Sequence, residues 1–358
     1  MKKKSFLKKL ASTITAAVCG LTLVFGSGPA PVAEASWLGV LLGTGLQLAV
    51  MENQLSYYNG DGRSQFFDKI KSENGVNEDP ALNARLSGIM TNLTGAIAQV
   101  DPSINDKPYN YFINRDESFN AFCTVGHNIS VNTGAFTALA NDEELAVVLA
   151  HEMGHGQKDH PFQGYKKTIK AAILGNVVIA STGGSALSQL GVGQLLDMGT
   201  TLQIDRPQEW EADNLAFDYI THSNYNPGAC AAVWQRNYEQ SGNTNNAGQD
   251  HAGNLQRRDN YVKKLYDYSK KHVTVKDGVV LVNGKAFTTP APAGGMSSAE
   301  RSYFVLGNLA AAYHNGHDKN AATVSDGGTV MLGAQPILTP ADGDSSAADL
   351  AAQLNKIK

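Results

Sequence analysis

His151, Glu152 and His155 are the residues of this 358-residue chain whose types and spacing most directly do chemistry. They lie in the stretch Asn141 to His160, NDEELAVVLAHEMGHGQKDH. Residues four apart on a helix share a face, so both imidazoles can point at one metal ion. Glu152 follows the first imidazole and can reach a water bound to that ion. Two imidazoles holding Zn²⁺, with a carboxylate as general base, is the zincin arrangement. A chance match of a short pattern is the competing explanation, and the context weakens it. A buried helix with two His and a Glu facing inward is costly unless those groups are paired or metal-bound. Gly154 and Gly156 lower helix propensity inside the motif and make sense where another segment must come close.

The elements that must position these groups can be read from the chain. Asn141 is a plausible N-cap, with Glu144 at the N3 position of a capping box. Leu145, Val148, Leu149 and Ala150 make the motif helix a buried one. A catalytic zinc needs a third protein ligand and one open position. The candidate stretch is Arg206 to Ile220, RPQEWEADNLAFDYI, a second helix with Leu215, Phe217 and Ile220 turned to a core. Glu209 and Asp213 lie four apart on one face, while Glu211 lies on the other side. Glu209 is the candidate third ligand. Asp213 is the candidate acceptor that orients a ligating imidazole through its other nitrogen. On residue types alone a solvated acidic face explains these carboxylates as well, and a His or Asp elsewhere could supply the ligand.

Asp79 to Val100 carries a helical stripe, Leu82, Leu86, Ile89, Leu93 and Ile97, and Asp101-Pro102 ends it. Tyr109 to Asn114 alternates like a strand. Asn120 to Val131 reads as a hairpin turning at Gly126-His127-Asn128. An edge strand beside a cleft can hold substrate backbone in extended form; plain core structure is the alternative. His127 is expected to be exposed rather than a ligand. Trp37 to Tyr58 reads as a helix packing on the domain. Ala171 to Leu196 contains no charged residue and reads as two short helices or a flexible lid.

Residues 1–35 carry a basic start (Lys2, Lys3, Lys4, Lys8, Lys9), an apolar run from Leu10 to Phe25, and Ala33-Glu34-Ala35. That is the pattern of a signal peptide cleaved before Ser36. An uncleaved anchor is the alternative. Losing five Lys and one Glu takes the formal net charge from −4 to −8. A mildly acidic exported chain without a basic cluster is a poor nucleic-acid binder. No stable transmembrane span is expected after cleavage. Cys123 and Cys230 could form one disulfide in an oxidising compartment or remain two buried thiols.

The tail repeats itself. Val279 to Lys285 reads as a hairpin, followed by Thr289-Pro290 and a helix opening at Ser297-Ser298-Ala299. Gly328 to Gly333, Thr339-Pro340 and Ser345-Ser346-Ala347 follow the same order. Two strand–strand–helix units make a small accessory region rather than a solenoid.

The segments FNAFCTVGHNISVNTGAF, ELAVVLAHEMGHGQKDH and RPQEWEAD together resemble the HtpX and CAAX-prenyl-protease family of zinc metallopeptidases. The nearest branch is its small exported members, which include BepA-like periplasmic proteases. The resemblance covers about Asp79 to Lys271, with three motifs in the family's order. It implies that Glu209 is the third zinc ligand. Family members often carry Ser-Arg before this ligand; here it is Asp205-Arg206. A family His-Pro followed by Arg is matched in part by His251-Ala252 and Arg257. This implies a place for His251 near the catalytic water and for Arg257 as an anchor of helix or site.

The expected fold is α+β: a mainly helical zincin domain over residues 36–272 with a small sheet, and an accessory α+β region over 273–358. The expected function is a metalloendopeptidase with one Zn²⁺ per chain, whose zinc-bound water is activated by Glu152. Its substrates would be exported or misfolded proteins on the periplasmic or extracellular side of the envelope. Residues 273–358 would offer a surface to an envelope partner. A chaperone or assembly factor with little proteolysis is the alternative. The intact Glu152, unnecessary in a structural zinc site, argues against a third reading as an inert metal protein.

Overall fold

The computed structural model describes residues 49–174, 205–242 and 253–358. The expected signal peptide, the first part of Trp37–Tyr58, nearly all of the uncharged Ala171–Leu196 stretch, and His251 lie outside these residues. The described residues belong to one compact unit, Gln47–Lys358. As expected, the fold is α+β and mainly helical, with small three-stranded sheets.

Residues 49–59 are helical and are followed by α1 (Arg63–Asn74) and α2 (Pro80–Val100). Asp79 caps α2 by accepting from the N–H groups of Ala81 and Leu82, and Pro80 pre-sets the first turn. The apolar stripe buries Leu86, Ile89, Leu93 and Ile97 in the main core. Next come β1 (Asn110–Asn114), β2 (Ala121–Thr124) and β3 (Asn128–Asn132). The sheet order is β1-β3-β2, with β1 parallel to β3 and β2 antiparallel to it. The expected hairpin is therefore β2–β3, and β2 is an edge strand.

His127, expected to be exposed, is buried instead. It sits in the turn with φ of 54°, stacks on Tyr109 at a ring separation of 4.5 Å, and places Nδ1 2.7 Å from the Lys107 carbonyl. The left-handed turn folds its ring back over the sheet rather than out to solvent.

The motif helix α3 (Asp142–Gln157) and α4 (His160–Leu174) follow, then α5 (Arg206–Thr221), α6 (Ala229–Ser241) and α7 (Asn254–Tyr268). Asn141 caps α3 by accepting from the Glu144 N–H. The reciprocal half of the expected capping box differs. Glu144 accepts from the Ala140 N–H, and Arg236 on α6 also holds its carboxylate at 3.1 Å. α5 has the full box at Asp205 and Gln208, so the Asp that replaces the family's Ser does the capping.

α3 and α5 pack along each other at close range. A Cβ built on Gly154 would lie 3.2 Å from the Ala212 carbonyl oxygen, and one on Gly156 would collide with the Tyr109 ring. Both glycines are there to allow contact, as the sequence suggests. Cys123 and Cys230 are both buried free thiols, which decides between the two states the sequence left open.

The tail holds β4 (Val273–Lys276), β5 (Val279–Val282), β6 (Lys285–Thr288) and α8 (Ser298–His314). The second unit is β7 (Ala322–Val324), β8 (Val330–Leu332), β9 (Gln335–Leu338) and α9 (Ala347–Ile357). Each unit has one strand more than the expected hairpin and helix. The register shifts of the two sheets fall at equivalent places, Val280/Leu281 and Val330/Met331. α8 packs on β4, β5 and β9, and α9 on β7, β8 and β6, so each helix covers the last strand of the other unit. Val305, Leu306 and Leu309 of α8 share one core with Ala231 and Val233 of α6 and Leu149 of α3.

Candidate active site

The packing of α3 on α5 brings three donors together. His151 Nε2 lies 3.0 Å from His155 Nε2. Glu209 reaches both rings, with Oε2 at 3.5 Å from His151 Nε2 and Oε1 at 3.4 Å from His155 Nε2. These three residues are a group able to hold a metal ion. Ligands about 2.0–2.1 Å from a tetrahedral zinc stand roughly 3.3 Å apart, and the observed separations bracket that value. The charges also fit. Glu152, Glu209 and Asp213 are opposed by Arg257, which leaves an excess of negative charge for a divalent cation to balance when both imidazoles are neutral.

The elements fix each side chain. His151 and His155 share a face one turn apart on α3, and Glu209 stands in the first turn of α5. Asp213, one turn further, accepts from His151 Nδ1 at 3.0 Å. Asp213 is held in turn by Arg257 of α7, whose Nε donates to Oδ2 at 2.7 Å and whose Nη2 donates to Oδ1. Tyr261, one turn along α7, donates its hydroxyl to Oδ1 at 3.0 Å. The Arg257 guanidinium lies over the Trp234 ring at 3.5 Å and also comes within 3.7 Å of Glu209. It ties α7 to Asp213 and Glu209 of α5 and to Trp234 of α6. His251 lies outside the described residues.

Burial pulls these groups away from their ordinary titration. Burial alone would raise the Asp213 carboxyl, but the Arg257 charge and the His151 hydrogen bond overcome it and hold Asp213 at about 2. For His151, burial and the Arg257 charge oppose protonation. Hydrogen bonds to Asp213 and Glu209 outweigh them and lift the ring to about 9. Glu152 is pushed up to about 7, chiefly by burial. Burial lowers His155.

Glu152 is tied to the edge strand. Its Oε2 accepts from the Cys123 N–H at 2.9 Å. The site thus has β2 on one side and the α3–α5 seam on the other.

The sequence reading missed Trp234, Tyr261 and His160. His160 is buried, with Nδ1 2.9 Å from His155 Nδ1 and Nε2 3.2 Å from Glu211 Oε2. Its signal was its place in the motif stretch, five residues after His155. That spacing does not put it on the ligand face of a continuous helix. The backbone breaks at Asp159, whose φ is 51°, and α4 starts afresh at His160.

The family model for peptidase family M48 matches residues 80–317. The chain is 28% identical over 156 residues to the metalloprotease LoiP of Escherichia coli, a match covering 43% of this chain and 60% of that protein. It is 29% identical over 126 residues to the mitochondrial metalloendopeptidase OMA1 of Saccharomyces cerevisiae, covering 35% of each. A third relative is the β-barrel assembly-enhancing protease of Escherichia coli, 24% identical over 144 residues, covering 37% of this chain and 29% of that one. The chain therefore spans 60% or less of the length of these curated relatives.

Proposed function

This chain belongs to peptidase family M48, and on that premise we propose that it is a zinc-dependent endopeptidase acting on proteins outside the cytoplasm. The observation that carries the reading is the convergence of His151, His155 and Glu209 on one point, with Glu152 beside it. His151 Nε2, His155 Nε2 and the Glu209 carboxylate would hold the metal. A zinc ion there would supply Lewis acidity, able to polarise a peptide carbonyl and to lower the pKa of a water to about 7.

The chain's own residues supply the rest. Glu152 takes the proton of the attacking water and returns it to the leaving amine. The Cys123 N–H holds one of its oxygens and so aims the carboxylate. Asp213 keeps the proton of His151 on Nδ1 and its Nε2 lone pair toward the metal. Arg257 neutralises Asp213 and steadies Glu209. β2 is an edge strand beside Glu152, and an extended substrate could add to it.

The place of action rests on residues 1–35, which read as an export signal. Among the described residues, no helix is long and apolar enough to cross a membrane. The test is cleavage of casein by the purified protein, before and after zinc removal with a chelator. Cleavage is expected to stop on removal and return with added zinc. Glu152→Gln is expected to bind zinc normally and to cut nothing. An active Glu152→Gln protein, free of contaminating protease, would overturn the role of Glu152.

A further inference from the structure

His160 has no task in the chemistry above, yet it is only 2% exposed. A buried imidazole is costly unless its nitrogens find partners. Both do, with His155 on one side and Glu211 on the other. Chemistry fixes the direction of these bonds. His155 turns Nε2 toward Glu209 and His151. A nitrogen that holds a metal carries no proton, so neutral His155 keeps its proton on Nδ1. That N–H donates to His160 Nδ1, which must then be a lone pair. The proton of His160 is on Nε2 and is donated to the Glu211 carboxylate. The donors run one way, from ligand to carboxylate, without conflict.

We propose that His160 is a positioning residue that fixes the ring of His155 and connects it to the charge of Glu211. The inference rests on the zinc reading and deepens it. The two imidazole ligands are supported unequally. His151 meets the Asp213 carboxylate directly, and His155 meets Glu211 only through an imidazole. Burial accounts for the difference. Glu152, Glu209 and Asp213 already crowd the site, and a fourth buried carboxylate against His155 would be costly to desolvate. His160 carries the hydrogen bond outward to Glu211, whose side chain is 49% exposed and keeps its hydration. The turn at Asp159 makes this possible by starting α4 with His160 folded back onto α3.

The test uses the purified chain and two readouts besides cleavage. They are zinc affinity, measured by competition with a chromophoric chelator, and the visible absorption bands of the Co²⁺-substituted protein. His160→Leu fills similar space without an acceptor. It is expected to weaken zinc binding by about 10–100-fold and to shift the Co²⁺ bands. His160→Asn places an amide oxygen near the Nδ1 position and is expected to restore most of both. Glu211→Gln, on an exposed side chain, is expected to give a smaller loss in the same direction. Thermal melts report whether each variant is folded. A folded His160→Leu with wild-type zinc affinity and unshifted bands would overturn the proposal. If His160→Leu does not fold, wild-type affinity in Glu211→Gln overturns it instead. Failure of the wild-type chain to bind zinc would bring down the metal reading itself, a result distinct from any variant effect.

Discussion

At the scale of single residues, the proposed site depends on where protons reside. Asp213 is fully buried and holds both His151 Nδ1 and Arg257. Asp213→Asn leaves Arg257 short of its main counter-charge and turns one of the two accepting oxygens into an NH2 donor, so His151, Arg257 and Tyr261 can no longer all be held. We expect zinc affinity to fall about 10–100-fold and the metal-free fold to lose up to about 3–5 kcal/mol, read by zinc competition and by denaturant melts. His151 gives a pH prediction with a definite sign. Its folded value rises from 6.5 to about 9, so its stabilising effect is full below 6.5 and is lost as pH climbs through 9. Glu152, lifted from 4.5 to about 7, acts in the same direction. Asp213, depressed from 3.8 to about 2, stabilises above 3.8 and stops doing so as pH falls toward 2. Metal-free protein should therefore melt at lower temperature as pH rises from 4.5 to 9. Zinc, which must displace the His151 proton, should bind more tightly over the upper part of that range. Melting curves and zinc titrations across pH check these opposite trends. Parallel trends would contradict the assignment of the proton to His151.

At the scale of elements, the site is a seam between α3 and α5 braced by α7. Most of that was legible in the sequence. His151, Glu152 and His155 follow a helical spacing, and Glu209 and Asp213 repeat it on a second helix. Helical periodicity says which residues share a face, and these do. It says nothing of residues beyond a break in the backbone. His160 escaped because the left-handed residue Asp159 resets the helix. His127 was misjudged for a related reason, since a left-handed turn decides which way its ring goes. β4 and β7 were missed because strands of three or four residues carry too little alternation to read. Trp234 and Tyr261 needed the tertiary contacts of α6 and α7, which spacing does not encode. The seam yields its own prediction. Gly154→Val pushes a branched side chain into the Ala212 backbone, whose carbonyl already lies 3.2 Å from an ideal Cβ. It should destabilise the fold by about 1–3 kcal/mol and weaken zinc by moving Glu209 away from the two imidazoles. Measuring melting temperature and zinc affinity on the same samples separates the two effects.

At the scale of the whole molecule, the tail is part of the structure that supports the site. Arg236 on α6 lies 3.1 Å from Glu144 in the first turn of α3 and 3.0 Å from Glu300 in the first turn of α8. The apolar face of α8 lies in the same core as α3 and α6. Burying each such Val or Leu contributes about 1.5–3 kcal/mol, while a whole domain holds only about 5–15 kcal/mol of net stability. A chain ending at His272 should therefore fail to fold cooperatively, as circular dichroism melts and limited proteolysis would show. A soluble, cooperatively melting truncation would make residues 273–358 a separate module instead. In the proposed function, α3 and α5 together hold one catalytic zinc. The most direct test is zinc content measured alongside casein cleavage in wild type and Glu209→Gln. One zinc per chain and cleavage are expected in wild type, with metal binding and cleavage both severely reduced in the variant. Zinc bound as tightly in Glu209→Gln as in wild type would contradict it.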